Sequence, residues 1–277
     1  MADKVSYKAI LTPDEVYELV IKPLEKIAIA AQAAKVDHIT AGRLRFPIIT
    51  SDPSAAWVPE GGKIPVSDGA AAEVVADPAK LAVLTNISNE LRDDSSPAAT
   101  DAIGNSLLRD AAKKLDQAWL SAPVINGPQT TLANVTGVNV IPVTGSLTSL
   151  DPFVDAASAI EDAGVVTDWV MNKADRNKLA KIRKSTGSNE GLLAADVTQG
   201  ARYVVEGGRV HVSPYCPEGT VYGLDASQSH TVIRRDASVE SSDQWLWDTD
   251  QTSLRMIMRA AFAFPNPAAI SKITVAA

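Results

Sequence analysis

The side chains that could serve as nucleophile, general base or metal ligand are few in this sequence and lie far apart. The three histidines, His38, His211 and His230, do not have the close spacing that metal-binding motifs require. Cys216 is the single cysteine, so it can form neither a disulfide within the chain nor a structural zinc site with a second cysteine. Cys216 and His211 could form a nucleophile and base pair. Both lie in a run of strand and turn character, where a half-buried cysteine is commoner than an activated one, so we expect no catalytic residue and no metal ion.

Sequence motifs for nucleotide binding and serine hydrolysis are also missing. The sequence contains no Gly-x-Gly-x-x-Gly run, no P-loop and no Gly-x-Ser-x-Gly run. The basic cluster of Lys178, Lys181, Arg183 and Lys184 is typical of a solvated helix face, with a contact to phosphate or to an acidic neighbour as the alternative. The net charge of -7 argues against a general affinity for nucleic acid, which needs a basic surface. We expect no cofactor.

Length and composition indicate a globular protein with a full core. The chain has 277 residues, of which 45% are hydrophobic, enough for one large domain or two smaller ones. No apolar run reaches the roughly 20 residues that cross a bilayer. The N-terminus lacks the basic start and apolar centre of a signal peptide. We therefore expect no membrane partner.

The elements that must position any site begin with a long amphipathic helix. Ser96 is the predicted N-cap and Pro97 the first helical residue. A helix from Pro97 to Leu120 would be about 36 Å long. Its predicted core face has a four-residue spacing and consists of Ile103, Leu107, Ala111, Leu115 and Trp119.

The first forty residues carry a helix signal that is interrupted. The run from Thr12 to Glu15 is a capping box, and Pro23 then predicts a kink or a split in the helix. A broken helix after a polar start is typical of a segment that lies against something else rather than of a self-contained folding unit. We expect residues 1–40 to form an arm.

A long excursion separates two predicted strands, Arg43–Ile49 and Lys80–Ser88. It contains four prolines and two adjacent glycines around Trp57, and it is long for a structureless loop in a compact domain. Disordered segments are poor in aromatic residues, so Trp57 favours an extended arm whose apolar side is covered by another molecule. The alternative is that Trp57 folds back onto its own core.

The second half of the chain has a mixed α/β pattern. A helix is predicted over 149–164 and a buried strand over 165–172, and Asn172 with Asp175 is predicted to cap the next helix. Short strands follow, and a final strand from Leu254 to Phe264 alternates apolar residues with Arg255 and Arg259. This strand is expected to return to the core of the long helix.

The order of these features resembles the major capsid proteins of tailed bacteriophages, which have the Hong Kong ninety-seven type of shell fold. The resemblance rests on the runs AAWVPEGGKIPVSD, AKLAVLTNISNELRDDS and LLRDAAKKLDQAWLSAP, and on GTVYGLDASQSHTVIRRD and SLRMIMRAAFAFPNPAAI near the end. It implies an α+β fold with an N-terminal arm, an extended β loop, a peripheral subdomain built on a spine helix, and an axial α/β subdomain. The implied boundaries are 1–40 for the arm, 41–90 for the strand and extended loop (the loop over about 50–80), 91–123 for the spine helix, 124–240 for the axial subdomain and 241–277 for the closing strands of the peripheral subdomain.

The resemblance also implies a function and a set of partners. The chain would assemble as hexamers and pentamers into an icosahedral shell in the virion, after synthesis in the host bacterial cytoplasm. The shell would enclose double-stranded DNA without sequence-specific binding, and would involve a scaffolding protein, a portal and in some cases a decoration protein. In this family the extended loop reaches over the adjacent subunit. The residues expected at subunit contacts are Trp57, Val58, Glu60, Lys63, Ile64, Arg92, Asp94, Arg255 and Arg259.

Three alternatives remain open at this point. Lys63 lies where some members of the family carry a lysine used for covalent cross-linking. A bacterial nanocompartment shell of the encapsulin type has the same fold and encloses a protein cargo. A chain of a different class, a cytosolic α/β enzyme, would be monomeric and would show turnover.

Overall fold

The computed structural model describes residues 22–90, 97–183, 204–242, 244 and 246–276. The described helices include α1 (Lys22–Ile27), α2 (Ile29–Gln32), α3 (Pro97–Leu120), α4 (Asp151–Ser158) and α5 (Lys173–Ala180), with 3-10 turns at Trp247–Thr249 and Pro267–Ala269. The described strands are β1 (Lys35–Ile39), β2 (Leu44–Ser51), β3 (Ala70–Ala76), β4 (Ala79–Ser88), β5 (Asn139–Thr144), β6 (Asp168–Met171), β7 (Val204–Val205), β8 (Gly208–Val212), β9 (Thr220–Leu224), β10 (His230–Ser242), β11 (Gln251–Ala263) and β12 (Ile270–Ala276).

The strands of the described part form three sheets. The first has four strands in the order β1-β10-β11-β4, and the second has six in the order β5-β12-β9-β6-β8-β7. The third is a two-stranded antiparallel ribbon of β2 and β3. Two sheets, each with its own covering helices, give the mixed α+β architecture that the sequence predicted.

The long helix α3 has the predicted bounds, Pro97–Leu120, and packs on the four-stranded sheet. Ala111, Leu115 and Trp119 of the predicted face are buried, but Leu107 is only half-buried. Since a four-residue step turns a helix by about 40° more than one full turn, a strict four-residue row drifts off the buried side. Leu108 and Ala112, which the spacing missed, complete the buried stripe. Ser96 and the side chain of Ile103 lie outside the described part.

Residues 22–39 belong to the body of the protein, which differs from the arm expected over 1–40. The break between α1 and α2 falls at Ala28, which has extended backbone, while Pro23 sits in the first turn of α1, where its missing N–H costs little. Strand β1 pairs in parallel with β10 and closes one edge of the four-stranded sheet. The capping box at 12–15 lies outside the described residues. Four apolar side chains of this segment are buried in the main core: Leu24, Ala28, Ala30 and Ala33.

The six-stranded sheet packs around Trp169, which lies in the predicted buried strand. Its indole Nε1 donates to the carbonyl of Val205 at 2.7 Å, and its ring meets that of Phe153 edge-on at 4.9 Å. A Cβ at Gly208 or Gly223 would come within 2.7 Å of the indole, closer than carbon atoms approach. These two strand glycines therefore make room for the tryptophan.

Other predictions in this region are confirmed with shorter bounds. The helix expected over 149–164 is α4 followed by turns, and Ile160 beyond its end is fully buried. Asn172 caps α5 by accepting the N–H of Ala174 at 3.0 Å. Asp175 was predicted to share in the cap, but its carboxylate instead accepts the N–H of Gly219 at 2.8 Å.

The strand pairing differs from the expected subdomain boundaries at two places. Strand β10 starts at His230 and pairs with β11 in the four-stranded sheet, although residues up to 240 were assigned to the axial part. Strand β12 pairs with β5 and β9 in the six-stranded sheet, although 241–277 was assigned to the peripheral part. The chain therefore crosses between the two sheets near residues 225–230 and again near 264–270.

None of the helices in the described ranges is long and apolar enough to span a membrane.

We expect the buried side of α3 to contribute most to the free energy of unfolding. Leu115 is 2% exposed, so Leu115→Ala should lower that free energy by about 2 to 5 kcal/mol because it leaves a cavity. Leu84, on β4, is 53% exposed and provides the matched control, since Leu84→Ala should change stability by no more than about 0.5 kcal/mol. Urea denaturation followed by circular dichroism measures both, and equal effects would contradict the assigned packing.

Candidate subunit-contact surface

The ribbon of β2 and β3 carries five of the predicted contact residues at its tip. The strands stay paired from Leu44 opposite Ala76 to Ser51 opposite Ala70, and the tip is the segment 52–69. Within the tip, the N–H of Gly62 bonds to the carbonyl of Pro59 at 2.9 Å, and Gly61 has φ 76°. A positive φ at this third position is what a type II turn requires, which explains Gly61, while a Cβ at Gly62 would come within 2.8 Å of the Val58 side chain.

The apolar side chains of the ribbon tip point into solvent. Trp57 is fully exposed at 104%, Ile64 is 75% exposed and Val66 is 89% exposed. Glu60 and Lys63 are exposed as well, and Val58 is half-buried. The alternative that Trp57 folds back onto its own core is therefore wrong. Several exposed apolar side chains within one short segment are typical of a surface that another molecule covers.

The base of the ribbon is fixed to the body. Ala76 and the half-buried Phe46 pack in a small cluster with Val232 and Ala261 of the four-stranded sheet. The ring of Phe46 lies 4.4 Å from that of His230. The tip thus projects from a strand pair whose root is part of the core, so its position relative to the sheet is set by packing.

The other predicted contact residues lie apart from the ribbon tip. Arg255 on β11 is exposed and forms an ion pair with Glu240, its cross-strand neighbour on β10. Arg259 is half-buried and lies opposite Lys80 on β4. Arg92 and Asp94 lie outside the described residues. The structure therefore brings Trp57, Val58, Glu60, Lys63 and Ile64 together on one tip and places the two arginines on the sheet.

A groove that sequence reasoning missed lies beside the second half of α3. It has a volume of about 400 Å³ and runs between α3, the start of β4 and the turn over 121–128. Ile125 on its wall is 93% exposed and Val124 is 54% exposed. We call this feature the helix groove. The only sequence signal for it is the pair of valine and isoleucine in a turn bounded by Pro123 and Pro128.

His211 and Cys216 do not form a catalytic pair. The His211 Nε2 atom lies 2.8 Å from Asp168 Oδ1, whereas the Cys216 thiol donates to the carbonyl of Thr220 at 3.2 Å. Burial raises the pKa of the Cys216 thiol to about 12, so the thiolate that nucleophilic attack needs is absent at neutral pH.

Asp168 is a fully buried carboxylate that sequence reasoning missed. Burial alone would raise its pKa, but hydrogen bonds from His211, Thr167 and Arg209 outweigh that effect and hold the pKa below its ordinary value. Arg209 lies directly opposite on β8. A buried carboxylate with three donors is a stable structural network; its signal in the sequence was an aspartate inside a buried strand pattern.

Asp116 lies on the buried side of α3, and its pKa is raised, whereas that of Asp168 is lowered. Its Oδ1 accepts the N–H of Ala30 at 2.9 Å, and α2 has no side-chain cap of its own. Asp116 therefore supplies an acceptor to the start of α2 from across the core. Burial raises the pKa of Asp116 to about 6, although hydrogen bonds from Ala30 and Ile29 act in the lowering direction.

Lys178, the one member of the predicted basic cluster that lies on α5, has acidic neighbours. Lys178 Nζ lies 3.1 Å from Asp175 and 3.2 Å from Glu218, and the hydrogen bond that Lys178 donates to Asp175 raises the pKa of Lys178. Lys184 lies outside the described residues. Among the residues that the structure describes, no group of histidine, cysteine and carboxylate side chains could hold a metal ion.

Comparison with known proteins identifies the class. The fold superposes on a structure of Mycobacterium phage Adephagia with a TM-score of 0.72 and 17% identity, covering 90% of each chain. The capsid of a native GTA particle gives a TM-score of 0.74 with 18% identity over 89% of each chain. Mycobacterium phage Cain gives 0.71 with 18% identity over 90% of each chain. No curated protein sequence matches this chain.

The fold is thus that of bacteriophage capsid shells, and the sequence agrees. The model of the phage capsid family matches residues 8–275, so the chain belongs to the phage capsid family. This confirms the resemblance stated from the sequence. The protein is a structural capsid protein of the virion and not an enzyme.

We expect Cys216 to be inert in the folded protein. Because the thiol is 1% exposed and its pKa is about 12, Ellman's reagent at neutral pH should react with it only after denaturation. The same protein in guanidinium chloride is the control, and it should release one equivalent of thiolate per chain, matching its single cysteine. Rapid reaction of the native protein would contradict the buried position.

We expect Asp116 to stabilise the fold less as the pH rises. Its folded pKa of about 6 exceeds the ordinary value of 3.8, so its stabilisation is complete below the lower value and is lost as the pH rises through the upper one. Asp116→Asn removes this titration and keeps an oxygen acceptor for Ala30. The stability of the variant relative to the parent should increase by roughly 2 kcal/mol between about pH 4 and pH 7.

Urea denaturation at both pH values measures this difference, and subtraction of the parent removes the contribution of other carboxylates such as Asp168. A difference that stays constant with pH would show that the pKa of Asp116 is not raised in the folded chain.

Proposed function

We propose that this chain is the major capsid protein of a tailed bacteriophage and assembles as hexamers and pentamers into an icosahedral shell around double-stranded DNA. The observation that carries the proposal is the ribbon tip, on which Trp57, Ile64 and Val66 are exposed although the body already buries a full core. A chain that functions alone would not keep such a group of side chains in water. A neighbouring subunit provides the cover.

The net charge of -7 fits a container for DNA. Strong attraction between the inner wall and phosphate would hinder DNA movement during packaging, and a negatively charged wall avoids it. Assembly would take place in the host bacterial cytoplasm with a scaffolding protein, and a portal and in some cases a decoration protein would complete the particle. Purified particles that protect double-stranded DNA from nuclease support this proposal; particles that hold a protein cargo instead would favour a nanocompartment.

We further propose how the subdomains correspond to the sheets. The four-stranded sheet with α3 forms the peripheral subdomain, and the six-stranded sheet with α4 and α5 forms the axial subdomain. The ribbon of β2 and β3 serves as the extended loop, with Trp57, Val58, Glu60, Lys63 and Ile64 at subunit contacts. Arg255 and Arg259, together with Arg92 and Asp94, are proposed as further contact residues.

We expect the ribbon tip to be required for assembly but not for folding. Replacement of residues 52–69 by Asn-Gly would join the paired residues Ser51 and Ala70 through a two-residue hairpin turn. The variant should keep its circular dichroism spectrum and melting temperature, because the base of the ribbon and the core are intact. It should form no shells in negative-stain electron microscopy.

A point variant makes the same test quantitative. Trp57→Ala should weaken each contact by about 1 to 4 kcal/mol, the range for a buried aromatic anchor, so shells should require a higher protein concentration. Val154→Ala, at a 47% exposed valine on α4, is the matched control and should assemble like the parent. Normal shells from the tip replacement would sink the proposed role of the ribbon.

A further inference from the structure

The turn over 121–128, which forms one wall of the helix groove, contains the only Asn-Gly pair of the sequence, Asn126-Gly127. The backbone nitrogen of the residue after an asparagine attacks the asparagine side chain most easily when that residue is glycine, because glycine has no Cβ to hinder the approach. Every other asparagine of the chain is followed by a residue with a side chain. The sequence therefore singles out Asn126 for a reaction with its own backbone.

The side-chain amide of Asn126 is not held in place. Asn126 is exposed, and none of the described residues forms a hydrogen bond with its side chain. Asn134 is also exposed, but its Oδ1 accepts the N–H of Thr131 at 2.8 Å and its Nδ2 donates to the carbonyl of Gln129 at 2.8 Å. The β-branched Val135 follows it. Exposure alone therefore does not distinguish the two asparagines, whereas the hydrogen bonds and the following residue do.

The backbone of the turn also allows the reaction. Asn126 has φ 63°, a left-handed conformation that asparagine adopts more readily than most residues. The N–H of Gly127 donates to the carbonyl of Val124 at 3.0 Å, and this bond must open before the nitrogen can attack. It belongs to a surface turn in which Val124 and Ile125 are exposed, and such local openings cost little free energy.

We propose that Asn126 is a site of spontaneous deamidation in the native chain, with water as the co-reactant. The Gly127 nitrogen loses its proton and attacks the Cγ atom of Asn126. The Cγ–Nδ2 bond then breaks, and ammonia leaves with a proton taken from water. Water opens the resulting succinimide ring at either of its carbonyl groups, which gives aspartate or isoaspartate. In sum, an amide and a water molecule become a carboxylate and an ammonium ion, and nothing is oxidised or reduced.

The product changes the charge of the helix groove. The charged side chains that line the groove are Lys80 and Lys114, and both are exposed. A carboxylate at position 126, on the wall of the same groove, halves the net positive charge of this lining. Isoaspartate also adds a methylene group to the backbone of the turn. The modification thus alters a surface of the protein without the action of an enzyme.

Peptide mapping of the full chain, kept folded and unassembled, tests the proposal. On incubation at mildly alkaline pH, the peptide that contains Asn126 should acquire the mass of a carboxylate in place of an amide, and fragment ions should assign the change to position 126. The modified fraction should grow with time and with pH, because the attacking nitrogen must lose its proton. On isoelectric focusing, the aged chain should gain a band at the position of the Asn126→Asp variant.

Two controls define the background. Asn134 is the internal control and should keep its amide. The Asn126→Gln variant should show no change of mass at position 126, because the longer side chain closes a six-membered ring far more slowly. Equal conversion of Asn134, or an unmodified Asn126 after alkaline incubation, would overturn the proposal. Conversion that occurs in urea but not in the folded chain would show that the turn protects Asn126, and the proposal would again be wrong. None of these outcomes depends on shell formation.

Discussion

The packing of α3 against the four-stranded sheet is the interaction on which the rest of the structure depends. Leu115 and Trp119 belong to one buried cluster with Met256 and Met258 of β11, and Leu24 of α1 closes the same cluster. The cluster also contains Tyr222 and Val170 of the six-stranded sheet, and the carbonyl of Trp119 accepts the N–H of Leu132 in the connecting segment at 2.8 Å. Because burial of apolar surface is the main favourable contribution to folding, this shared cluster holds the two sheets in one body.

The ribbon can project from the body because the core contains no side chain of the tip. Its root is fixed by Phe46 and Ala76 in a separate small cluster, while the tip contributes nothing to the core. The core residues and the proposed contact residues are therefore different. Under the proposed function, a change at the tip is expected to alter association without unfolding the subunit. The helix groove is a second apolar surface, and the part of the chain that the structure describes leaves it open.

Titratable groups in this protein stabilise tertiary contacts. Each of the three histidines lies beside a carboxylate: His38 near Glu25 at 3.0 Å, His211 near Asp168 at 2.8 Å and His230 near Asp37 at 2.5 Å. Two buried aspartates differ in pKa because their donors differ. Three side-chain donors lower the pKa of Asp168, whereas burial is the largest effect on Asp116 and raises its pKa. Perturbed pKa values often mark active sites, but here they follow from the connections between distant segments.

The sequence by itself determined the types of the elements, the bounds of α3 and the lack of regular structure around Trp57, because these depend on neighbours a few residues apart; the exposure of Trp57 itself was decided by the tertiary structure. Periodicity placed Leu115 and Trp119 in the core, and the prolines and glycines near Trp57 excluded regular structure there. Only the tertiary structure decided that β12 joins the six-stranded sheet, that residues 22–39 enter the body and that Asp116 reaches Ala30. It also decided where the helix groove lies. These features are contacts between residues far apart in the chain, and no local pattern of side chains specifies which distant partner a strand edge or a buried carboxylate will meet.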